Sequence, residues 1–159
     1  MSTLGLQAMS AADYRDWMTI IVPDYAAEKV AGGAWPRAEA LARSQEALAK
    51  LLPQGVATPE NWLCTLVSAD TRERAGFLWF ARQEQTAYLY DLYILAAQRR
   101  RGYGRQAMQL LETKARTMGF AGIALHVFGH NEAARDLYLS EGYRITDLNM
   151  RKDLPPAPA

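Results

Sequence analysis

The chain has a single cysteine, Cys64, among its 159 residues. One thiol cannot form an internal disulfide, so the fold must rest on its apolar core, and a reducing cytoplasmic compartment is expected. The sequence also lacks the run of about 18 apolar residues that a transmembrane helix needs. Residues 1–10 lack the basic and apolar regions of a signal peptide, so we expect no association with a membrane.

The chain also lacks an excess of positive or negative charge. The chain has 18 basic and 17 acidic residues and a formal net charge of +1, so it has no overall attraction to nucleic acid, which we do not expect as a partner. Basic charge is concentrated locally, because Arg99, Arg100, Arg101 and Arg105 fall within one short segment. With half of its residues hydrophobic, a chain of this length is expected to form one compact domain.

That basic segment lies between a predicted strand and a predicted helix. Residues 87–95 are rich in aromatic and β-branched side chains, which is typical of a buried strand. Apolar residues recur at helical spacing after Gly104, and Gly119 predicts where that helix ends. A helix start preceded by glycines offers free backbone N–H groups that a ligand can approach closely. The segment 98–105 therefore predicts a binding site for phosphate groups.

Two common phosphate-binding loops do not fit this segment. A P-loop has a lysine followed by Ser or Thr after its last glycine, whereas Arg105 and Gln106 follow Gly104. The spacing from Gly102 to Ala107 matches a relaxed dinucleotide fingerprint, but that motif belongs on the first strand of a βαβ unit. Here it lies two-thirds of the way along the chain, so chance spacing explains it better.

Residues 99–104 instead match the pattern Arg-x-x-Gly-x-Gly. A predicted strand at 122–128, a helix with Asn, Ala and Tyr at positions 131, 134 and 138, and a Gly-aromatic turn at 142–143 follow in order. This series of motifs resembles the GNAT superfamily of N-acetyltransferases, and the resemblance covers roughly residues 66–154. Residues 25–30 and Trp35 are also similar to small bacterial members of that superfamily.

The resemblance implies an α/β fold with a mixed, mostly antiparallel sheet, a splayed parallel pair of strands and flanking helices. We expect one domain over residues 1–154 and a disordered Pro/Ala tail over 155–159. Predicted strands cover 3–9, 62–68, 75–82, 87–95, 122–128 and 143–152, and predicted helices cover 11–30, with an interruption at Pro23, and 37–52. A homodimer is compatible with this family, although the residues do not fix the oligomeric state.

The resemblance also implies acetyl-CoA as cosubstrate, with no metal. It assigns the backbone of Leu92 and Ile94 to the pantetheine arm, which would lie in the splay like an additional strand. The full set of residues expected to bind the cosubstrate is Leu92, Ile94, Arg99, Arg100, Arg101, Gly102, Tyr103, Gly104, Arg105, Asn131, Ala134 and Tyr138. Asn131 is in addition a typical helix N-cap.

The expected reaction is direct transfer of an acetyl group to a primary amine of a small molecule or peptide. We expect Tyr138 to donate a proton or hydrogen bond to the departing sulfur, and the N–H of Ile94 to stabilise charge on the carbonyl oxygen. Cys64 lies in an apolar strand and is interpreted as a buried side chain, so no covalent intermediate is expected.

The base that takes a proton from the amine is less clear in the sequence. Many related enzymes place a glutamate in the strand before the arginine-rich loop, and residues 87–95 contain none. Asp91 is the only carboxylate on that strand and is our candidate, while Glu28 and His126 remain open alternatives. For the acceptor amine we expect contacts with Tyr25, Glu28, Trp35 and Trp79.

Two other functions remain open at this level. The domain could bind acetyl-CoA as a sensor or regulatory module without efficient catalysis, which the missing strand glutamate weakly favours. A nucleic-acid module built on the arginine cluster would instead bind DNA or RNA with a steep dependence on salt. The balanced net charge and the lack of aromatic RNA-binding motifs argue against that second alternative.

Overall fold

The computed structural model describes residues 2–159. The strands are β1 (Leu4–Ala8), β2 (Asn61–Ser68), β3 (Arg74–Gln83), β4 (Thr86–Ile94) and β5 (Gly122–Leu125). The helices are α1 (Ala11–Ala31), α2 (Arg37–Leu51), α3 (Tyr103–Thr117) and α4 (Glu132–Ser140), with short 3₁₀ turns at Gly55–Ala57 and Ala96–Gln98. None of these helices is both long and apolar enough to cross a membrane.

The five strands form one sheet in the order β1-β2-β3-β4-β5. The first four strands pair antiparallel, and β4 pairs with β5 in parallel. The predicted fold class, a mixed and mostly antiparallel sheet flanked by helices, is therefore confirmed.

Alternate side chains of β3 point to opposite faces of the sheet and divide the core into two clusters. Phe77 and Trp79 belong to the cluster that includes Trp17 and Ile21 of α1 and Leu48 of α2. Leu78 and Phe80 belong to the cluster built with Met108 and Leu111 of α3. The sheet thus carries α1 and α2 on one face and α3 on the other.

Helix α1 runs without a break through Pro23, so the predicted interruption is wrong. Proline removes one backbone donor and normally bends or ends a helix. Here Ile21, Val22 and Ala26 are buried on both sides of the proline, and the hydroxyl of Ser44 donates to the carbonyl of Val22 at 2.7 Å. These contacts with α2 and the sheet keep the helix continuous.

The predicted last strand, over residues 143–152, is also wrong. Tyr143 packs against the core, but no strand follows α4 within the described residues. The apolar side chains of Ile145, Leu148 and Met150 are all exposed, because this segment has no neighbouring strand to bury them. Strand β5 is likewise shorter than predicted and ends at Leu125.

Candidate active site

The parallel pair β4 and β5 separates partway along its length. Their pairing ends at Leu89 and Leu125, whereas β4 continues to Ile94 in its pairing with β3. An irregularity in the β3–β4 register leaves Tyr90 opposite no residue of β3, and this bulge lies where the separation begins. The second half of β4 therefore has one open edge.

Backbone groups of β4 point into this gap. The N–H of Leu95 donates to the carbonyl of Ala75 on β3 at 2.9 Å, and residues alternate in direction along an antiparallel strand. The N–H and C=O groups of Leu92 and Ile94 consequently face away from β3. The carbonyl of Ile94 accepts a hydrogen bond from Nε of Arg99 at 3.0 Å, and the gap leaves its N–H available to a ligand.

The start of α3 adds a second set of free donors. The first intrahelical hydrogen bond runs from the N–H of Gln106 to the carbonyl of Gly102 at 3.1 Å, so the amides of residues 103–105 have no intrahelical acceptor. Gly102 caps the helix in the left-handed conformation with φ of 74°. A Cβ atom at Gly102 would meet no other atom within 4 Å, so open space adjoins these amides.

The side chains of this loop are used in several ways. Arg99 lies over the ring of Tyr93, with 5.3 Å from its guanidinium carbon to the ring centroid. Arg105 forms an ion pair with Glu141 at the end of α4. The side chain of Tyr103 is buried in the core, so only its backbone can face a ligand in the open space. Gly104 lets α4 pack close, since a Cβ there would lie 3.3 Å from Leu137.

A cavity of about 480 Å³ opens between the separated strands. Segments of β4, α1, α4 and the chain after β5 contribute to its wall. Among its lining residues are Asp24, Tyr25, Glu28, Trp79, Tyr88, Tyr90, Asp91, Leu92, His126, Asn131, Ala134 and Tyr138. Some residues of each predicted set, catalytic, cosubstrate-binding and acceptor-binding, thus meet in one place, whereas Ile94, residues 99–105 and Trp35 are not among the described lining residues. A larger cleft of about 750 Å³ between α1 and α2 has no charged residue or histidine among its described lining residues.

Asp91 is the carboxylate of β4 in this cavity. Its Oδ2 accepts a hydrogen bond from the indole Nε1 of Trp17 at 2.9 Å. Burial raises the pKa of Asp91 to about 7, the hydrogen bond from Trp17 acts to lower it, and the charge of Asp24 adds to the rise. A carboxyl group with this pKa can exchange a proton near neutral pH.

Tyr138 contributes a phenol from α4 to the same cavity. Burial and the charge of Asp91 raise the pKa of Tyr138, so its hydroxyl stays protonated at neutral pH. Asn131 begins this helix, and its side-chain Oδ1 accepts from the N–H of Ala134 at 3.2 Å. Asn131, Ala134 and Tyr138 follow one face of α4, which is the face that lines the cavity.

The aromatic residues predicted to contact the acceptor amine differ in how they are placed relative to the cavity. Trp79 is only 1% exposed and lies behind Tyr90, on whose ring it stacks with 4.3 Å between centroids. Trp35 is absent from the described cavity wall and packs edge-on against Tyr25 at 5.4 Å. The ammonium of Lys29 lies 5.5 Å from the centroids of both of these rings.

Glu28 of α1 also lines the cavity. Its Oε2 lies 2.7 Å from Nε2 of His130, in the segment that leads into α4. This hydrogen bond joins α1 to the chain after β5 across 102 residues of sequence. Both carboxylates thus have one side-chain partner, His130 for Glu28 and Trp17 for Asp91.

Several lining residues were not anticipated from the sequence, among them Tyr88, Tyr90 and Asp24. Tyr88 and Tyr90 add two aromatic rings to the wall, 4.7 Å apart between centroids, and Asp24 adds a carboxylate from α1. Partial burial and the charge of Glu28 raise the pKa of Asp24, against the opposing effect of Arg99. The sequence places Tyr90 on a predicted strand. The side of the sheet to which its side chain points depends on the bulge, which the sequence does not predict.

Cys64 lies outside the cavity wall, buried in the core cluster on the α3 face. Burial raises the pKa of its thiol to about 11, which keeps it protonated and unreactive at neutral pH. Within residues 2–159, no group of three or more His, Cys, Asp or Glu side chains is arranged to hold a metal ion.

A splayed sheet, free amides at the start of a glycine-capped helix and a cavity that contains Asp91 and Tyr138 are together the architecture of the acetyltransferase class. The model of the Acetyltransferase (GNAT) family matches residues 16–143, and the chain belongs to this family. The predicted family membership is therefore confirmed.

Two curated relatives come from Bacillus subtilis. The uncharacterized N-acetyltransferase YycN is 35% identical over 156 residues, covering 96% of this chain and 99% of YycN. The crystal structure of YycN has a TM-score of 0.92 and covers 97% of this chain and 100% of its own. The uncharacterized N-acetyltransferase YdgE is 31% identical over 153 residues, covering 94% of this chain and 97% of YdgE.

A more distant solved structure shares the fold alone. Spermidine N-acetyltransferase from Vibrio cholerae, in complex with CoA and spermine, has a TM-score of 0.63 at 16% identity. The match covers 88% of this chain and 80% of that one. The alternative of a binding module without catalysis gains no support from these comparisons.

Proposed function

We propose that this protein is an acetyl-CoA-dependent N-acetyltransferase that moves an acetyl group directly to a primary amine of a small molecule or peptide. One observation carries the proposal: the cavity that contains Asp91 and Tyr138 lies in the gap where β4 and β5 separate. The free amides at the start of α3 offer a second site, which would bind the phosphate groups of the cosubstrate. An extended thioester can therefore be held at both ends with its reactive end beside two proton-exchanging groups.

The chain offers donors for each part of acetyl-CoA. The amides of residues 103–105 and the open space at Gly102 fit a pyrophosphate, which a helix N-terminus favours through its dipole. The open edge at Leu92 and Ile94 fits the amides of pantetheine, which would pair as a strand does. When bound, acetyl-CoA supplies the activated acetyl group as a thioester.

Asp91, the N–H of Ile94 and Tyr138 then each have a defined task. Asp91 accepts the proton that the amine must lose before it can attack, directly or through a water. The N–H of Ile94 donates to the acetyl oxygen, where negative charge develops. Tyr138 keeps its proton available for the departing sulfur, because burial and Asp91 raise its pKa. Direct transfer needs no nucleophilic side chain, and Cys64 is buried away from the cavity.

The cavity wall favours a cationic acceptor. Asp24, Glu28 and Asp91 supply three carboxyl groups against the one ammonium of Lys29, and Tyr88 and Tyr90 supply aromatic rings. Carboxylates and ring faces both attract an ammonium group. Amines of small molecules, including polyamines such as the spermine bound to the Vibrio cholerae fold neighbour, are therefore the first acceptors to test.

Thermal unfolding with acetyl-CoA, CoA, ATP and NAD in parallel tests the donor assignment. A ligand present at 100 times its Kd stabilises the native state by about 2.7 kcal/mol. We expect acetyl-CoA and CoA to raise Tm by several degrees, and ATP and NAD to have little effect. Acetyl transfer to a panel of amines then tests the reaction. Stabilisation by CoA without transfer to any amine would support the binding-module alternative, and no response to CoA would contradict the whole proposal.

The variant Gly102→Val is expected to weaken acetyl-CoA binding at least about tenfold. Its Cβ would enter the open space beside the free amides, and φ of 74° is unfavourable for a β-branched residue. Isothermal titration with CoA measures the affinity, and circular dichroism verifies the fold.

Gly119→Val is the matched control for this variant. Gly119 lies at the other end of α3 and also has positive φ (82°), and a Cβ atom there would likewise meet no other atom within 4 Å. Both variants should lose a similar amount of stability, so only Gly102→Val should change the affinity for CoA. Equal affinities in the two folded variants would place the phosphate site elsewhere.

A further inference from the structure

The indole ring of Trp17 lies directly behind the reactive carboxylate. Trp17 is fully buried on α1, and its Nε1 donates to Oδ2 of Asp91 at 2.9 Å. Within residues 2–159 this is the only hydrogen bond that the Asp91 side chain makes. The interaction joins α1 to β4 across 74 residues, so no local pattern in the sequence predicts it.

Aromatic packing fixes the position of this donor. The ring of Trp17 packs edge-on against Trp79, with 5.5 Å between centroids, and tilted against Tyr14 at 5.9 Å. Trp79 in turn lies opposite Asp91 in the β3–β4 pairing and stacks on Tyr90. A buried ring held on several sides has little freedom to rotate, so its N–H stays directed at the carboxylate.

The charged form of Asp91 depends on such a donor. A partly buried carboxylate loses hydration, and a hydrogen bond to its ionised form compensates part of that loss. With Oδ2 bonded to Trp17, Oδ1 has no hydrogen-bond partner among the described residues. This leaves one oxygen of the carboxylate for the proton of a substrate.

We propose that Trp17 is a positioning residue, whose buried indole N–H orients the Asp91 carboxylate and keeps it ready to accept a proton from the acceptor amine. This inference rests on the proposed function, in which Asp91 is the base. Trp17 itself lies outside the described cavity wall, so it acts on the reaction through Asp91 and not by touching the substrate.

Other titratable groups surround Asp91 and must be considered with it. Asp24 of α1 and Tyr138 of α4 interact with it electrostatically, whereas β3 contributes the uncharged Trp79. Glu28 of α1 and His126 after β5 line the same cavity. None of these four titratable side chains donates a hydrogen bond to Asp91, so the contribution of Trp17 can be separated from theirs.

The test compares the pH dependence of wild type and Trp17→Phe. Activity requires ionised Asp91, so kcat/KM should fall as pH drops through about 7, the pKa of Asp91 in the wild type. Loss of a hydrogen bond to the ionised form disfavours it, so Trp17→Phe should move this acidic limb upward by about one to two pH units. A limb that stays in place, with or without a lower kcat, would overturn the proposal.

Trp79→Phe is the matched control for loss of a buried indole. The Nε1 of Trp79 donates to Asn61 at 2.9 Å and not to Asp91. It belongs to the same core cluster as Trp17, so its replacement should also reduce stability, and it can reduce the rate because Trp79 lines the cavity. Because a phenyl ring at position 79 keeps an aromatic edge against Trp17, the Trp17 donor should stay in place, and the acidic limb of Trp79→Phe should remain at the wild-type pH.

A measurement independent of activity separates this inference from the proposed function. In protein labelled with ¹³C at aspartate carboxyls, the Asp91 resonance, assigned by its loss in Asp91→Asn, should titrate at a higher pH in Trp17→Phe. Should Trp17→Phe fail to fold, the ¹⁵N indole resonance of Trp17 in the wild type should titrate with the Asp91 carboxyl and lose that titration in Asp91→Asn. An indole signal that does not follow Asp91 would overturn the inference even if acetyl transfer is demonstrated.

Discussion

Replacing Asp91 with Asn is expected to lower kcat/KM for acetyl transfer by about 10²- to 10⁴-fold. The amide keeps nearly the same volume but cannot accept a proton from the amine. The effect should be large because the other carboxyl groups of the cavity are poor substitutes: Glu28 is bonded to His130, and Asp24 is exposed on α1. Steady-state kinetics with the best amine of the panel measures this loss.

The pH dependence of kcat/KM gives a second test of Asp91 as the base. Burial raises the pKa of Asp91 to about 7, and the base is active only when ionised. Wild-type kcat/KM should therefore fall tenfold per pH unit below about 7, and the remaining activity of Asp91→Asn should lack this limb. An unchanged profile in the variant would assign the limb to another group, with His126 as the next candidate.

A measurement of Tm tests whether the loss of activity in Asp91→Asn comes from unfolding. The native state holds a proton on Asp91 that the unfolded chain, with an ordinary pKa of 3.8, has already released at pH 5 to 6. The contribution of Asp91 to the free energy of unfolding consequently decreases as pH rises from about 4 to about 7. Asp91→Asn removes this penalty, so its Tm at pH 8 should equal or exceed that of the wild type.

The variant Tyr138→Phe is expected to reduce kcat by about 10²-fold while leaving the affinity for acetyl-CoA nearly unchanged. The phenyl ring can keep the packing of Tyr138 against Tyr143, whose ring centroid lies 5.8 Å away. Only the hydroxyl is lost, and with it the proton available to the departing sulfur. Single-turnover kinetics separates this chemical step from product release.

Tyr143→Phe provides the control for that variant. Tyr143 packs against the same core but does not belong to the described cavity wall, so removal of its hydroxyl should leave kcat unchanged. A further check uses acyl donors with better leaving groups, which should be less sensitive to Tyr138→Phe than acetyl-CoA is. Normal turnover in Tyr138→Phe would remove this residue from the mechanism.

Local features of the chain were largely predictable from its sequence. The arginine-rich turn and the amphipathic pattern of α3 depend on neighbouring residues, and the predicted helix start near Gly104 lies one residue from the observed start at Tyr103. The same holds for Asn131, whose position before Glu132 predicts the N-cap that the structure contains. The short connections between β2, β3 and β4 predict that these strands pair in sequence order, as they do, since consecutive strands usually pair.

Two local predictions were wrong because longer-range contacts decided them. Pro23 predicts a break in α1, but burial of its neighbours against the sheet and α2 keeps the helix continuous. The apolar residues after Gly142 predict a strand, but no edge of the sheet pairs with them within the described residues. In both cases the secondary-structure propensity reflects the segment alone, whereas contacts with the rest of the fold determine which structure forms.

By itself, the sequence determined the motifs that resemble the family, and through that resemblance the expected parallel pair of strands. It also predicted the loop and helix proposed to bind phosphate, because motifs and periodicity depend on residues close together in the chain. Only the tertiary structure decided how Trp17, Asp91 and Tyr138 come together, and that Trp35 lies behind Tyr25. These three side chains come from α1, β4 and α4. Their meeting depends on how helices pack across a sheet, and no spacing within a single segment records that packing.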